Sequence, residues 1–500
     1  MGTGVKAMIT DGFLRRSASA APMAGDGFFR AVRHADAVQV IGLWLITGFA
    51  FTLRWFDPEI ADLQWILALL AVWCLLTEGA LFLRNDTLIL RGKTAILFGF
   101  FAYVFLSPAL GSLARLGAPP KGAATAVAAS LLYLAVMMTA YSGTQAVKGR
   151  TAFLERFVVD LDERALLRIM LVCFIPTIIL RVFLQDWSKV SGVIPGLLGI
   201  GSQPWAHSGF GDAKVVFSPI HWLYALVPAF SALCWVKARN TPVVRYSVVL
   251  VWLFVFPALM LQRSRGKLIA TVVMVLAAML LVARDRHSRR QLYLLFLCLI
   301  PVLAILANLL LLDRGVGRIA SQVLEAGGIT EEYEIRTDPR TLLEDNLYFF
   351  ARSADVVPDK VPRRSALELY YYMAINPIPR VLWPGKPWMD QNYLGKIRPY
   401  YAAITIVGDM YVYGGWWHII LGGLVLGFAL KRVDQFGKAS DRPEAGRVAA
   451  YVFLILSLFN AIRALWSLIV SVYAVLTLLV ILYLVRRQQA TARGGRQAGV

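Results

Sequence analysis

Charge is scarce in this chain. Only 16% of its 500 residues are Asp, Glu, Lys or Arg, against roughly a quarter in a soluble domain. A water-soluble fold of this length is therefore excluded. Cysteine is scarce too: Cys74, Cys173, Cys234 and Cys298 each stand alone inside an apolar run. Without a CxxC pair or a Cys/His cluster, neither a disulfide framework nor a metal site is expected. Gly-rich fragments such as GLLGIGSQ lack a strand–turn–helix setting, so they carry no nucleotide-binding argument. Residues 1–37 have no apolar core close behind their basic start, as a cleaved signal peptide would. They are expected to form a cytoplasmic tail.

What the chain has instead is apolar length. Hydrophobic residues make up 58% of it, gathered in runs near the roughly 20 residues that a helix needs to cross a bilayer. The runs are too continuous for barrel strands, which alternate over about 10 residues. The expected fold class is all-α: a polytopic membrane protein with about 12 transmembrane helices and one large extracytoplasmic loop containing short helices. The spans fall near 38–53, 63–83, 94–113, 123–143, 165–185, 215–236, 246–261, 268–283, 292–312, 404–430, 447–461 and 465–485. Nine helices thus fill 38–312, the large loop runs over 313–403, three more helices fill 404–485, and 486–500 is a second cytoplasmic tail.

Orientation follows the Lys/Arg bias of short loops. RNDTLILRGK, KARNTPVVR, RDRHSRRQ and KRVDQFGKASDRPEAGR are cation-rich, whereas RWFDPEIAD and the Gly/Trp-rich 186–214 stretch are cation-poor. The first set faces the cytoplasm, with both chain ends. The net charge of +20 then lies beside anionic lipid headgroups, and no nucleic-acid partner is needed to explain it.

Two cationic features break this rule. The short outer turn QRSRGK, residues 262–267, carries Arg263, Arg265 and Lys267. The apolar stretch 447–485 is too long for one helix, and its only polar break, Asn460–Arg463, makes a hairpin that puts Arg463 on the same outer face. Ionisable groups at such depth are costly and usually line a cavity. Snorkelling to headgroups is the plainer explanation for Arg263 and Arg265, and a structural salt bridge the plainer one for Arg463.

Within the large loop, DPRTLLEDNLYFFARSADVV and SALELYYYMAI fit short amphipathic helices. NPIPRVLWPGKPWMDQ, with four prolines, does not: it is a stiff strap presenting Arg380, Trp383, Lys386 and Trp388. Loop acids such as Glu344 and Asp345 are alternative partners for Arg380 and Lys386. In TIVGDMYVYGGWWHIILGG, Asp409 stands at the mouth of a span among Tyr411, Tyr413, Trp416 and Trp417. An interfacial aromatic belt accounts for the rings, and a helix-start cap is the plainer role for Asp409. Asp160-x-Asp162 has a metal–nucleotide-sugar spacing but directly precedes a span, where acids serve as helix-start residues.

SRG at 264–266, PIPRVLWPGKP at 377–387, GDMYVYGGWW at 408–417 and NAIR at 460–463, in this order around a large loop, resemble the O-antigen polymerases, the Wzy-type oligosaccharide repeat-unit polymerases. Family members commonly have Glu where Asp409 stands. The resemblance implies a metal-independent membrane glycosyltransferase without cofactor, in the bacterial inner membrane. It would act on polyprenyl-pyrophosphate-linked oligosaccharide at the outer face, alongside membrane lipids and a chain-length regulator. Asp409 and Arg463 would be catalytic, with Asp390 and His207 as alternative bases. Arg263, Arg265, Arg380, Lys386 and Trp383 would bind substrate. A glycan ligase using the same carrier, or a transporter of the lipid-linked oligosaccharide, would share much of this pattern.

Metal independence gives a first test: a chelator should leave chain elongation by the purified protein unchanged, and a loss reversed by Mg²⁺ would contradict the reading.

Overall fold

The computed structural model describes residues 26–56, 59–84, 91–144, 155–184, 223–238, 241–261, 265–283, 287–299, 346–375, 383–387, 403–437 and 444–497, with 302 and 378. Among them the secondary structure is helical, without strands. The principal helices are α1 (Asp26–Trp55), α2 (Ile60–Arg84), α3 (Gly92–Ala109), α4 (Pro120–Gly143), α5 (Glu163–Leu184), α6 (Tyr224–Lys237), α7 (Pro242–Leu261), α8 (Arg265–Val282), α9 (287–299), α10 (Asn346–Val356), α11 (Ala366–Ile375), α12 (Thr405–Gly437), α13 (Ala445–Ala461) and α14 (Leu465–Gln497). In lipid every backbone N–H and C=O must be satisfied internally, and a helix does this within one segment.

Six of these, α1, α2, α3, α4, α7 and α12, are long and apolar enough to cross a membrane, and α6, α8 and α13 hold shorter apolar stretches. The chain is thus a helical, membrane-embedded protein.

The centre of the bundle is α4, buried almost all round and packed by α1, α10 and α12. Pro120 starts it, where the missing N–H costs no helical bond. The run GAATAVAAS that follows is small-residued, so neighbouring backbones approach closely. On α12, Gly423 and Gly427 face α4 one turn apart. A Cβ at Gly423 would lie 2.9 Å from the Tyr133 carbonyl oxygen, and one at Gly427 would strike that of Met137. Gly122 does the same for α10, whose Ala351 carbonyl takes the place of its Cβ. A second tie holds α10. A π-helical turn, Phe101–Phe105, interrupts α3, and the Asn346 side-chain amide donates to the Tyr103 carbonyl there at 3.3 Å.

At the end where α1 begins and α12 finishes, the core is ionic. Lys93 is fully buried, and its ammonium reaches three acceptors: Asp36 Oδ1 and Gln39 Oε1, each at 2.8 Å, and Glu78 Oε1 at 2.7 Å. Those acceptors use all three of its donors. Arg91 pairs with Asp36 at 3.2 Å. Asp434 receives the Gly92 N–H and the Tyr141 hydroxyl at 2.6 Å and the Tyr451 hydroxyl at 2.7 Å. It thereby caps α3 and ties it to α4, α12 and α13. Arg91 and Lys93 belong to the RNDTLILRGK segment expected at the headgroups. They turn inward because α1, α2 and α12 supply the carboxylates that offset burial.

The Asp160-x-Asp162 pair resolves into two local roles. Asp162 Oδ1 accepts the Ala165 N–H at 2.7 Å as the N-cap of α5, while Asp160 pairs with Lys237 at 3.1 Å.

Lys93→Met strands Asp36 and Glu78 and should cost about 3–5 kcal/mol. Lys237→Met, which breaks an exposed pair, should stay within about 1 kcal/mol. Thermal unfolding in detergent measures both; equal losses would contradict the ionic core.

Candidate functional site

Two of the residues singled out by sequence meet at one corner. α12 starts by stitching itself to the α13–α14 hairpin: the Thr405 N–H donates to the Arg463 carbonyl at 3.1 Å and the Ile406 N–H to that of Ile462 at 3.0 Å. Buried Asp409, one turn on, accepts the Leu465 N–H at 3.0 Å through Oδ2. Asp409 is therefore a helix-start cap, but for α14 and not for its own helix. The expected 447–485 hairpin is present, closed by the Ile462–Ala464 turn, and the Arg463 side chain is exposed.

On the strap, the Lys386 amide donates to the Trp383 carbonyl and the Lys386 ammonium to the Ile378 carbonyl, each at 3.0 Å. Trp383 is half-buried. Arg263, Arg380, Asp390 and His207 lie outside the described residues, as does the side chain of Arg265.

A cavity formed by described residues lies elsewhere, at the end of the bundle where α1 finishes and α4 begins. Its volume is about 600 Å³, within the usual range of ligand sites. Arg54 comes from α1, Lys121 and Thr125 from α4, Asp355 from α10, Asp359 and Arg363 from the turn that follows, and Tyr411 and Trp416 from α12.

The two arginines are held in the same way. Arg54 Nε donates to Thr125 Oγ1 at 3.2 Å, and its guanidinium sits 5.1 Å from the centroid of the Trp416 ring. Arg363 Nη2 donates to the Tyr411 hydroxyl at 3.3 Å, with its guanidinium 5.0 Å from that ring's centroid. The rings meet edge to face at 5.6 Å, forming one aromatic floor beneath both cations. Neither arginine forms an ion pair with a carboxylate among the described residues. Among the described residues, the ion pair that involves a cavity acid joins Asp355 to Lys360, at 3.5 Å.

A break in α12 builds the floor. Gly415 has φ 69° and ψ −152°, a region that is essentially glycine-only. A Cβ there would lie 3.2 Å from Arg363 Nε, so glycine supplies both the bend and the seat for Arg363. His418 braces the bend. Its Nδ1 lies 3.1 Å from the Met410 carbonyl and its Nε2 lies 2.7 Å from the Tyr370 hydroxyl. A carbonyl only accepts, so Nδ1 carries the proton and Nε2 accepts from Tyr370. Burial pushes the Tyr370 hydroxyl upward, which keeps it a donor.

Sequence reasoning missed Arg54, Lys121 and Arg363. Arg54 stood in a loop counted as cation-poor, and Arg363 stood in the PDKVPRR break between two helices. The available signal was the Gly414–Gly415 pair directly before Trp416 and Trp417 inside an apolar span, where a bend is cheap and aromatic rings follow it.

Comparison with protein-family models, with curated proteins and with solved structures gave no match.

Gly415→Ala should strain the backbone by about 1–3 kcal/mol and push Arg363 off its ring. The expected result is a lower thermal midpoint together with weaker anion binding. Gly48→Ala, with nothing within 4 Å of the new Cβ, is the control; equal behaviour of the two would rule out this role for the bend.

Proposed function

We propose that the chain is a membrane glycosyltransferase that polymerises polyprenyl-pyrophosphate-linked oligosaccharide repeat units for a surface polysaccharide. In this reading it has about 12 spans, both ends in the cytoplasm of a bacterial cell, and its cavity at the outer face of the inner membrane. The supporting observation is the pair of arginines on the aromatic floor, which form no ion pair with a carboxylate among the described residues.

As the new glycosidic bond forms, the bond between sugar and diphosphate breaks, and negative charge grows on the leaving oxygens. Preorganised guanidinium groups stabilise that charge more than they stabilise the ground state, which is the source of rate. Arginine suits the task because its fork holds two oxygens and it stays protonated. Trp55, which lines the cavity and is exposed, offers a face for a sugar ring. Arg263, Arg265, Arg380, Lys386 and Trp383 belong to the same proposal as further contacts to the lipid-linked substrate. Asp409 and Arg463 tie the start of α12, which carries Tyr411 and Trp416, to the α13–α14 hairpin. A chain-length regulator is the expected protein partner.

A ligase transferring the glycan to a different acceptor would use the same cavity. A transporter is disfavoured because the sequence shows no internal repeat and the cations and acids of the cavity cluster at one end of the bundle.

Purified protein in detergent, given lipid-linked repeat units and no membrane gradient, should lengthen glycan chains. Arg54→Ala and Arg363→Ala should each slow this by about 100-fold or more. No elongation by the intact protein, or elongation indifferent to both substitutions, would refute the proposal.

A further inference from the structure

The cavity holds cations and carboxylates that do not pair with one another. Arg54, Lys121 and Arg363 share about 600 Å³ with Asp355 and Asp359, yet no ion pair joins the two sets. Opposite charges left facing each other across a cavity suit a ligand that is anionic at one end and donates hydrogen bonds at the other. The two acids also differ. Asp355, on the last turn of α10, is drawn to Lys360. Asp359 is exposed and accepts no hydrogen bond from any described residue. Its turn is fixed from both sides: the Lys360 and Val361 N–H groups both donate to the Val356 carbonyl, at 2.8 and 3.1 Å.

We propose that Asp359 is the base that accepts the proton of the incoming sugar hydroxyl, with Asp355 binding a neighbouring hydroxyl, so that the Asp355–Asp359 edge is the acceptor side of the cavity. This rests on the glycosyltransferase reading above. The acceptor hydroxyl oxygen bonds to the anomeric carbon of the donor. The bond from that carbon to the diphosphate oxygen breaks, and its electron pair leaves with the diphosphate toward Arg54 and Arg363. The hydroxyl proton passes to the Asp359 carboxylate and then to water. The products are a glycan longer by the transferred chain and a free polyprenyl diphosphate. The ligand class is a glycosyl diphosphate together with the polyhydroxyl sugar end of the acceptor, set at opposite walls of one cavity.

The test is elongation by detergent-purified protein with Asp359→Ala, Asp359→Glu and Asp355→Asn, each measured with and without added sodium formate. Asp359→Ala should fall by about 10²–10⁴-fold, the usual range for a lost general base. Formate should restore part of that rate, Asp359→Glu should keep more activity than the alanine variant, and Asp355→Asn should raise the acceptor KM more than it lowers kcat. Formate should not rescue Arg54→Ala. Because Asp359 is exposed, the thermal midpoint should match the parent protein and so exclude misfolding. If the parent elongates and Asp359→Ala does so equally well, or loses activity that neither formate nor Glu recovers, the base assignment is overturned and the glycosyltransferase reading stands. If the parent itself does not elongate, both fall.

Discussion

An arginine laid on an aromatic face keeps its charge without a carboxylate to cancel it. Such a contact contributes about 0.5–1 kcal/mol where exposed and about 2 kcal/mol or more where desolvated, which is enough to fix the side chain and too little to neutralise it. Arg54 on Trp416 and Arg363 on Tyr411 are held in this way. An ion pair would fix the same side chains but hide them from an anionic ligand. The remaining architecture around the cavity keeps these two rings in place.

The opposite end of the bundle shows what the chain does with charge that serves the fold. There the Lys93 ammonium, Asp36, Glu78 and Asp434 are held by partners from α1, α2, α3, α4 and α13 at 2.6–2.8 Å. Removing one member strands the others, so that cluster resists change and has nothing left to offer a ligand. The cavity reverses this logic, since its cations and acids remain unpaired with one another. One helix, α12, spans the two regimes. Asp434 anchors one end in the ionic core, Gly423 and Gly427 press its middle against α4, and the bend at Gly415 turns Tyr411 and Trp416 under the arginines. His418 joins the bend to Tyr370 of α11, so the same helix that is clamped at its far end presents the aromatic floor.

Much of the fold was legible because lipid leaves few options. Apolar runs near bilayer length had to be helices, the Asn460–Arg463 break had to be a turn, and the periodicity of 338–357 and 365–375 marked short helices, of which Asn346–Val356 and Ala366–Ile375 are described. Helix breaks inside spans were not legible in the same way. The π-helical turn at Phe101–Phe105 and the bend at Gly415 lie against Asn346 and Arg363, which are far away in the chain. The site itself was read only in part. Asp409 lies at the start of α12 beside the hairpin that carries Arg463, and the bond it makes, to the Leu465 N–H of another helix, depends on how three helices meet. Arg54 and Arg363 looked like ordinary loop cations, because counting loop charge tells which face a residue lies on and not which ring it rests against.

Titration of detergent-purified protein with inorganic pyrophosphate, followed by calorimetry at low and moderate salt, is the most direct measure of the arginine pair. Saturable binding should weaken as salt rises, and should weaken by roughly tenfold or more for each guanidinium removed, with the Arg54→Ala/Arg363→Ala double variant losing it. Absence of binding to the parent protein, or equal binding to the double variant, would contradict the view that these two cations form an anion site.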